Sequence, residues 1–258
     1  MTKNARPSSL GRTFLFRPTV AAIWVGRLLA DLSDTRTGRV LVRPLLALMA
    51  RSILYAKSLP IVRPRSQFAV THDALTELLS SAEEIAVIPC ACRAASRSCS
   101  HPLHGEHEAE TCISVGVTAL LQRFTGVGRR ISREEALRIC ERAAESGMVH
   151  HALISLGILA ELCNCCAESC AIIRASRKGV RNIVRPADVR PFRTGACTGC
   201  AGKDGRACAR ICPYVAGPGS AGCVGCGLCA LHCPNKAIEM RNDANSEGVR
   251  RRHALSNR

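Results

Sequence analysis

The sequence predicts an α+β protein, with a mostly helical N-terminal and middle region and a small C-terminal domain built around two cysteine runs. Three observations lead there. Apolar residues recur at helical spacing in two segments, Leu75, Leu78, Leu79 and Leu137, Cys140, Ala144. Seventeen cysteines in 258 residues lie in short tracts rather than scattered through the chain. Hydrophobic residues make up 47% but aromatics only 3%, so any core is built from Leu, Ile, Val, Ala and Cys. Four segments follow from these patterns: a basic helical region 1–70, a cysteine-rich helical domain 71–194, the C-terminal domain 195–240, and a polar tail 241–258.

Residues 1–70 carry 12 Lys and Arg against 2 Asp and Glu, whereas residues 71–194 are nearly balanced, 15 against 14. Val42, Leu45, Leu46, Met49 and Ile53 share one helical face, with Pro44 suited to a first turn and Arg43, Arg51 and Lys57 between them. This is either a helix packed on the next domain or a basic amphipathic element for an anionic membrane surface or a partner subunit. No DNA-binding motif is present and aromatics for base stacking are few, which argues against nucleic acid. The early apolar run Val20 to Val25 is too short for a secretory signal, and no stretch reaches the length of a transmembrane helix. With so many thiols, the expectation is a cytoplasmic protein, at most peripheral on the inner face of the membrane.

In residues 71–194, Thr71 is expected to cap the first helix, and Ile85 to Ile88 reads as a short buried strand ended by Pro89. A cysteine tract follows: Cys90, Cys92, Cys99 and Cys112, with His101, His104 and His107 before the last. Ile113 to Phe124 looks helical. Ser132 opens a second helix as a capping box, with Glu135 reaching back and Ile131 stapled onto Ala136; Gly147 stops it. Cys140 reads as a core residue of that helix. The apolar stretch Met148 to Leu159 holds His150 and His151 and leads to another tract, Cys163, Cys165, Cys166 and Cys170.

The C-terminal domain carries the most specific signal. Cys223-x2-Cys226-x2-Cys229-x3-Cys233-Pro234 has the full spacing of a bacterial 4Fe–4S ligand run. Cys197-x2-Cys200-x7-Cys208-x3-Cys212-Pro213 is the same run with five extra residues, and the insertion 201–207 reads as an exposed loop. Three cysteines two apart can wrap three corners of a cubane. Gly225 and Gly227 let the backbone turn closely and free amide N–H groups to point at sulfur. Zinc prefers separated CxxC pairs, so the spacing favours iron–sulfur. The pair of runs resembles the bacterial two-cluster ferredoxins. The resemblance implies a ferredoxin-like two-cluster iron–sulfur domain whose fourth ligands cross over. Cluster A would then use Cys197, Cys200, Cys208 and Cys233, and cluster B Cys212, Cys223, Cys226 and Cys229.

The remaining tracts leave three readings open: a third 4Fe–4S cluster, with ligands from one tract or both; zinc with a histidine among its ligands; or structural and redox thiols. Cys165 and Cys166 are adjacent, and successive side chains usually point apart, so both are not expected on one metal. Cys90-Ala-Cys92-Arg93, Glu134 to Leu137, Gly147 to His150 and Cys163 to Cys166 are similar, in order, to the motifs of larger bacterial 4Fe–4S dicluster proteins. That resemblance spans roughly residues 71–240 and implies a redox role.

The functional expectation is an iron–sulfur electron-transfer protein or subunit of an oxidoreductase complex, passing single electrons to or from an acidic or membrane-associated redox partner. The alternatives are a reductase with its own substrate site in the middle domain, and a zinc-stabilised interaction protein. No glycine fingerprint for a nucleotide is present, which weighs against the reductase.

Overall fold

The computed structural model describes residues 67–96, 110–155, 158–179, 183–200 and 207–243, and the single residues 21 and 35. The amphipathic pattern around Val42 to Ile53, Cys99, the three histidines at 101, 104 and 107, and nearly all of the insertion lie outside the described residues.

The middle of the chain is a six-stranded sheet. Its strands are β1 (Gln67–Val70), β2 (Ile85–Pro89), β3 (Glu110–Val115), β4 (Arg129–Arg130), β5 (Val149–Ser155) and β6 (Ile158–Cys165). They lie in the order β1-β5-β6-β3-β2-β4, and every ladder is antiparallel. This corrects the expectation of a mostly helical middle region. The reason is burial on both faces. Val149, His150, His151 and Ala152 of β5 are all buried, so the strand lacks the in–out alternation that marks a half-exposed one. Residues 113–115 likewise belong to β3, and the helix α3 (Gly116–Phe124) begins only after them.

One sheet face packs on α1 (Ala74–Ser80) and α4 (Arg133–Glu145). Leu75 and Leu79 of α1, Ile139 and Cys140 of α4, and Val87, Ile113, Ala152 and Leu162 of the strands form one aliphatic core. Cys140 is fully buried there, and burial pushes its thiol up to about 11. Thr71 does not cap α1. Asp73 occupies the cap position without a side-chain hydrogen bond, and the Thr71 carbonyl accepts from the Ala74 amide instead. The cap of α4 is as expected at Ser132, whose hydroxyl oxygen accepts from the Glu135 amide at 3.1 Å. The reciprocal arm differs. The Glu135 carboxylate accepts from Arg129 at 2.9 Å, and it is Glu134 whose carboxyl is held low by a hydrogen bond with Ser132. Arg129, within reach of two carboxylates, draws Glu135 away from the cap. Gly147 ends the helix in the left-handed region, φ +81.

The other sheet face meets the short helices α2 (Ala91–Ala94), α5 (Ala171–Arg177) and the C-terminal module. That module holds a two-stranded sheet of β7 (Val189–Arg193) with β8 (Ile238–Asn242) and the one-turn helices α6 (Ala207–Arg210) and α7 (Leu228–Leu231). β7 brings the module's edge to residue 189, ahead of the expected boundary at 195. The module is tied to the main sheet by several contacts. Arg185 exchanges backbone hydrogen bonds with Gln67 and Ala69 of β1. The Arg177 Nε donates to the Pro213 carbonyl at 2.8 Å, and His232 Nε2 to the Ala144 carbonyl at 2.9 Å.

Two substitutions check this account. Ser132→Ala should lower stability by about 1 kcal/mol through the lost cap. Ile113→Ala should cost about 2–5 kcal/mol through the cavity it leaves under α4. Thermal unfolding of anaerobically prepared protein, followed by circular dichroism, should rank the two in that order.

Candidate metal centres

The first centre is built by β6 and its neighbours. Side chains two residues apart share a face of a strand, so Cys163 and Cys165 point together while Asn164 points the other way. On the core side, Asn164 Oδ1 lies 2.6 Å from His150 Nδ1, and its amide donates to the Thr111 carbonyl at 2.7 Å. The register carries the thiol face across the sheet. Cys163 stands opposite His151 of β5, and Ile113 opposite Leu162 places Cys112 of β3 beside Cys163. Ile88 of β2 pairs with Cys112, and Cys90 follows two residues on. Cys90 and Cys170 precede the first residues of α2 and α5, and Cys92 lies within α2.

The six thiols close a ring. Around one cavity Cys90 neighbours Cys112 and Cys92, Cys112 neighbours Cys163, Cys163 neighbours Cys165, Cys165 neighbours Cys170, and Cys170 neighbours Cys92. These neighbours set the protonation. Hydrogen bonds from Cys112 and Cys165 lower the Cys163 thiol to about 7. Cys90 and Cys165 are held high by their neighbours and by burial, and Cys112 by Cys163 and burial against the opposing effect of Cys90. Cys170 is raised despite the hydrogen bond from Cys165, through Cys92 and burial. Cys166 also reaches the cavity wall but lies beside the ring rather than in it. It packs with Ala143 and Met148, and its sulfur accepts from the Ser169 amide at 3.3 Å. The ring thus takes members from both N-terminal tracts and leaves one member of the second aside.

A cavity of about 470 Å³ opens on the ring, walled also by Gln67, Arg93, Leu121 and Glu161. Arg93 is only 1% exposed. Burial raises the Glu161 carboxyl. His151 lies beside the ring, its ring nitrogens 3.2 Å from Gln67 Nε2 and 2.6 Å from Tyr214 Oη. Burial lowers it to about 3, so it is a neutral imidazole. The place of His151 opposite Cys163 follows from the β5–β6 register, which no local spacing reveals.

Tyr214 leads to the second centre. Cys212, Cys223, Cys226 and Cys229 line one pocket with Tyr214, Val224 and Leu228. Cys208, assigned by sequence to the other cluster, lies on its wall as well. Burial raises Cys226 and Cys229 to about 12. Backbone amides point at sulfur as the glycines suggest: Gly225 N to Cys223 Sγ at 3.4 Å, and Ala216 N to Cys212 Sγ at 3.4 Å. Gly225 is left-handed, φ +72, and a Cβ there would strike the Val189 carbonyl. Arg190 of β7 donates to the Cys223 carbonyl and, through Nε, to Asp243 at 3.0 Å. For the remaining thiols, the loop of Cys197 and Cys200 is held against the segment after Cys233. Thr194 N donates to the Ala237 carbonyl, and Asn235 Nδ2 to Thr198 Oγ1 at 2.8 Å. Ala237 N donates to Cys233 Sγ at 3.3 Å.

Five cysteines line this pocket, and backbone amide N–H groups are aimed at the sulfurs of two of them, a donor set suited to a soft metal. Residues 221–239 match the 4Fe-4S binding domain family. The chain therefore carries an iron–sulfur module of the ferredoxin type, with a general role in electron transfer. No curated protein and no solved structure matches the chain. Among the described residues, no helix is long and apolar enough to cross a membrane.

The close approach at Gly225 gives a direct check. Gly225→Ala should lower iron and labile sulfide per chain severalfold while the far-ultraviolet signal of the six-stranded sheet is retained, because the clash falls on β7 and the Cys223–Cys226 turn alone.

Proposed function

We propose that this chain is an electron-transfer protein or subunit whose C-terminal module holds two 4Fe–4S clusters. Cys212, Cys223, Cys226 and Cys229 would hold one, and Cys197, Cys200, Cys208 and Cys233 the other. The observation that carries the reading is that the first run reaches into the pocket of the second: Cys212, with Cys208 beside it, lines one pocket with Cys223, Cys226 and Cys229. A crossed fourth ligand is what two interlocked clusters require. The bound cluster supplies one-electron exchange. The protein's part is to hold the thiolates, aim the amides of Gly225 and Ala216 at sulfur, and exclude water with Val224, Leu228 and Tyr214. The guanidinium of Arg190, bonded at the Cys223 carbonyl, favours the more negative reduced state and so raises the potential. Replacing Arg190 with Gln should shift the reduction midpoint to more negative values at unchanged iron content, read by potentiometric titration followed by EPR. An unchanged midpoint would remove Arg190 from the argument.

The basic region 1–70 is the docking element in this reading, for an acidic partner or an anionic membrane. Its last residues, 67–70, are β1 of the sheet, so a deletion test should stop at residue 66. The shortened chain should keep its iron and lose salt-sensitive adsorption to phosphatidylcholine–phosphatidylserine vesicles. Adsorption equal to that of the full chain would end this part of the proposal.

A further inference from the structure

We propose that the ring of Cys90, Cys92, Cys112, Cys163, Cys165 and Cys170 is a separate metal centre that holds a polynuclear iron–sulfur core, with ligands drawn from both N-terminal tracts. It lies outside residues 221–239 and is independent of how many clusters the C-terminal module carries.

The size of the ring decides what it can hold. A single tetrahedral ion with bonds of about 2.3 Å needs all its donors within about 3.8 Å of one another. Among the described residues, the only trio with ligand atoms all within 4.8 Å is His151, Cys165 and Cys170. No three of the six thiols meet that limit, although all six line the one cavity. The ring is too open for one ion ligated by thiolates alone. It suits a core whose inorganic sulfide keeps the ligated irons apart. Four thiolates suffice for a four-iron core, and two thiols remain as hydrogen-bond donors to it.

The surroundings agree with an anionic metal–thiolate group. The cavity of about 470 Å³ gives it room. Arg93 lies buried on the same wall, its guanidinium donating to Met148 Sδ at 2.6 Å, and puts a basic side chain beside the cavity. The mononuclear competitor needs His151 as a ligand, but both of its ring nitrogens already have partners, Gln67 and Tyr214. His151 is better read as a positioning residue. It ties the ring to Tyr214, which walls the pocket of Cys212, Cys223, Cys226 and Cys229. Cys165, Cys170, Tyr214 and Cys226 belong to one continuous apolar cluster, so the two thiol sites share a wall.

The test uses the full chain, purified anaerobically, with iron, labile sulfide and zinc measured per chain. In Cys200→Ser/Cys208→Ser/Cys223→Ser/Cys229→Ser both ligand sets of the module are broken and the ring is untouched. This variant should retain at least about 4 iron with matching sulfide. In Cys112→Ser/Cys163→Ser iron should fall by about 4 from the wild-type value, with the module's EPR signal preserved. Cys166→Ala, in the same tract but outside the ring, should match wild type. A module variant that keeps the sheet's circular dichroism but holds no iron overturns the proposal. So does one that binds a stoichiometric zinc without sulfide, which would mark the His151 trio. Loss of iron in Cys166→Ala equal to that in the ring variant overturns the ligand assignment. If the ring variant fails to fold, the module variant decides alone.

Discussion

The register between β5 and β6 is the constraint on which the rest depends. Cys163 stands opposite His151, and Asn164 opposite His150. A slip of one residue would send Cys163 and Cys165 into the aliphatic core and turn Asn164 toward the thiols. The register is held from the core side. The Asn164 side chain is fixed between His150 and the Thr111 carbonyl, so the strands cannot slide without stranding buried polar groups. A polar pair on one face thereby fixes the placement of soft ligands on the other.

That division of the sheet also explains why two differently built halves form one unit. The face toward α1 and α4 is aliphatic and provides the stability a ligand site needs beneath it. The opposite face carries the polarisable thiols; α3 packs over its β2, β3 and β6 strands and the C-terminal module meets it around Val149 and Cys165. Contacts at Arg185, Arg177 and His232 hold the module in place. Cysteine serves twice here. Cys140 and Cys166 act as small apolar residues, each paired with core neighbours, while the ring and module cysteines converge on one another. Residue type alone does not separate the two uses; the strand and helix faces do.

What the sequence by itself determined is local. The spacing of Cys223 to Cys233 specifies a 4Fe–4S run because three thiolates on a tight loop need those intervals, and Gly225 and Gly227 mark the tight turn. The cap at Ser132, the stop at Gly147 and the core role of Cys140 were legible for the same reason: each depends on neighbours a few residues away. The sheet was not legible. Strands buried on both faces lose the alternation that would mark them, and Met148 to Leu159 reads equally as a buried helix. That the Glu134 carboxyl rather than the Glu135 carboxyl meets Ser132 depended on Arg129, whose position comes from β4. Only the tertiary structure decided which of the N-terminal cysteines come together. Cys90, Cys112 and Cys163 are far apart in the chain and meet because β2, β3 and β6 are neighbours in an antiparallel order, a property of long-range hydrogen bonding that no local spacing encodes.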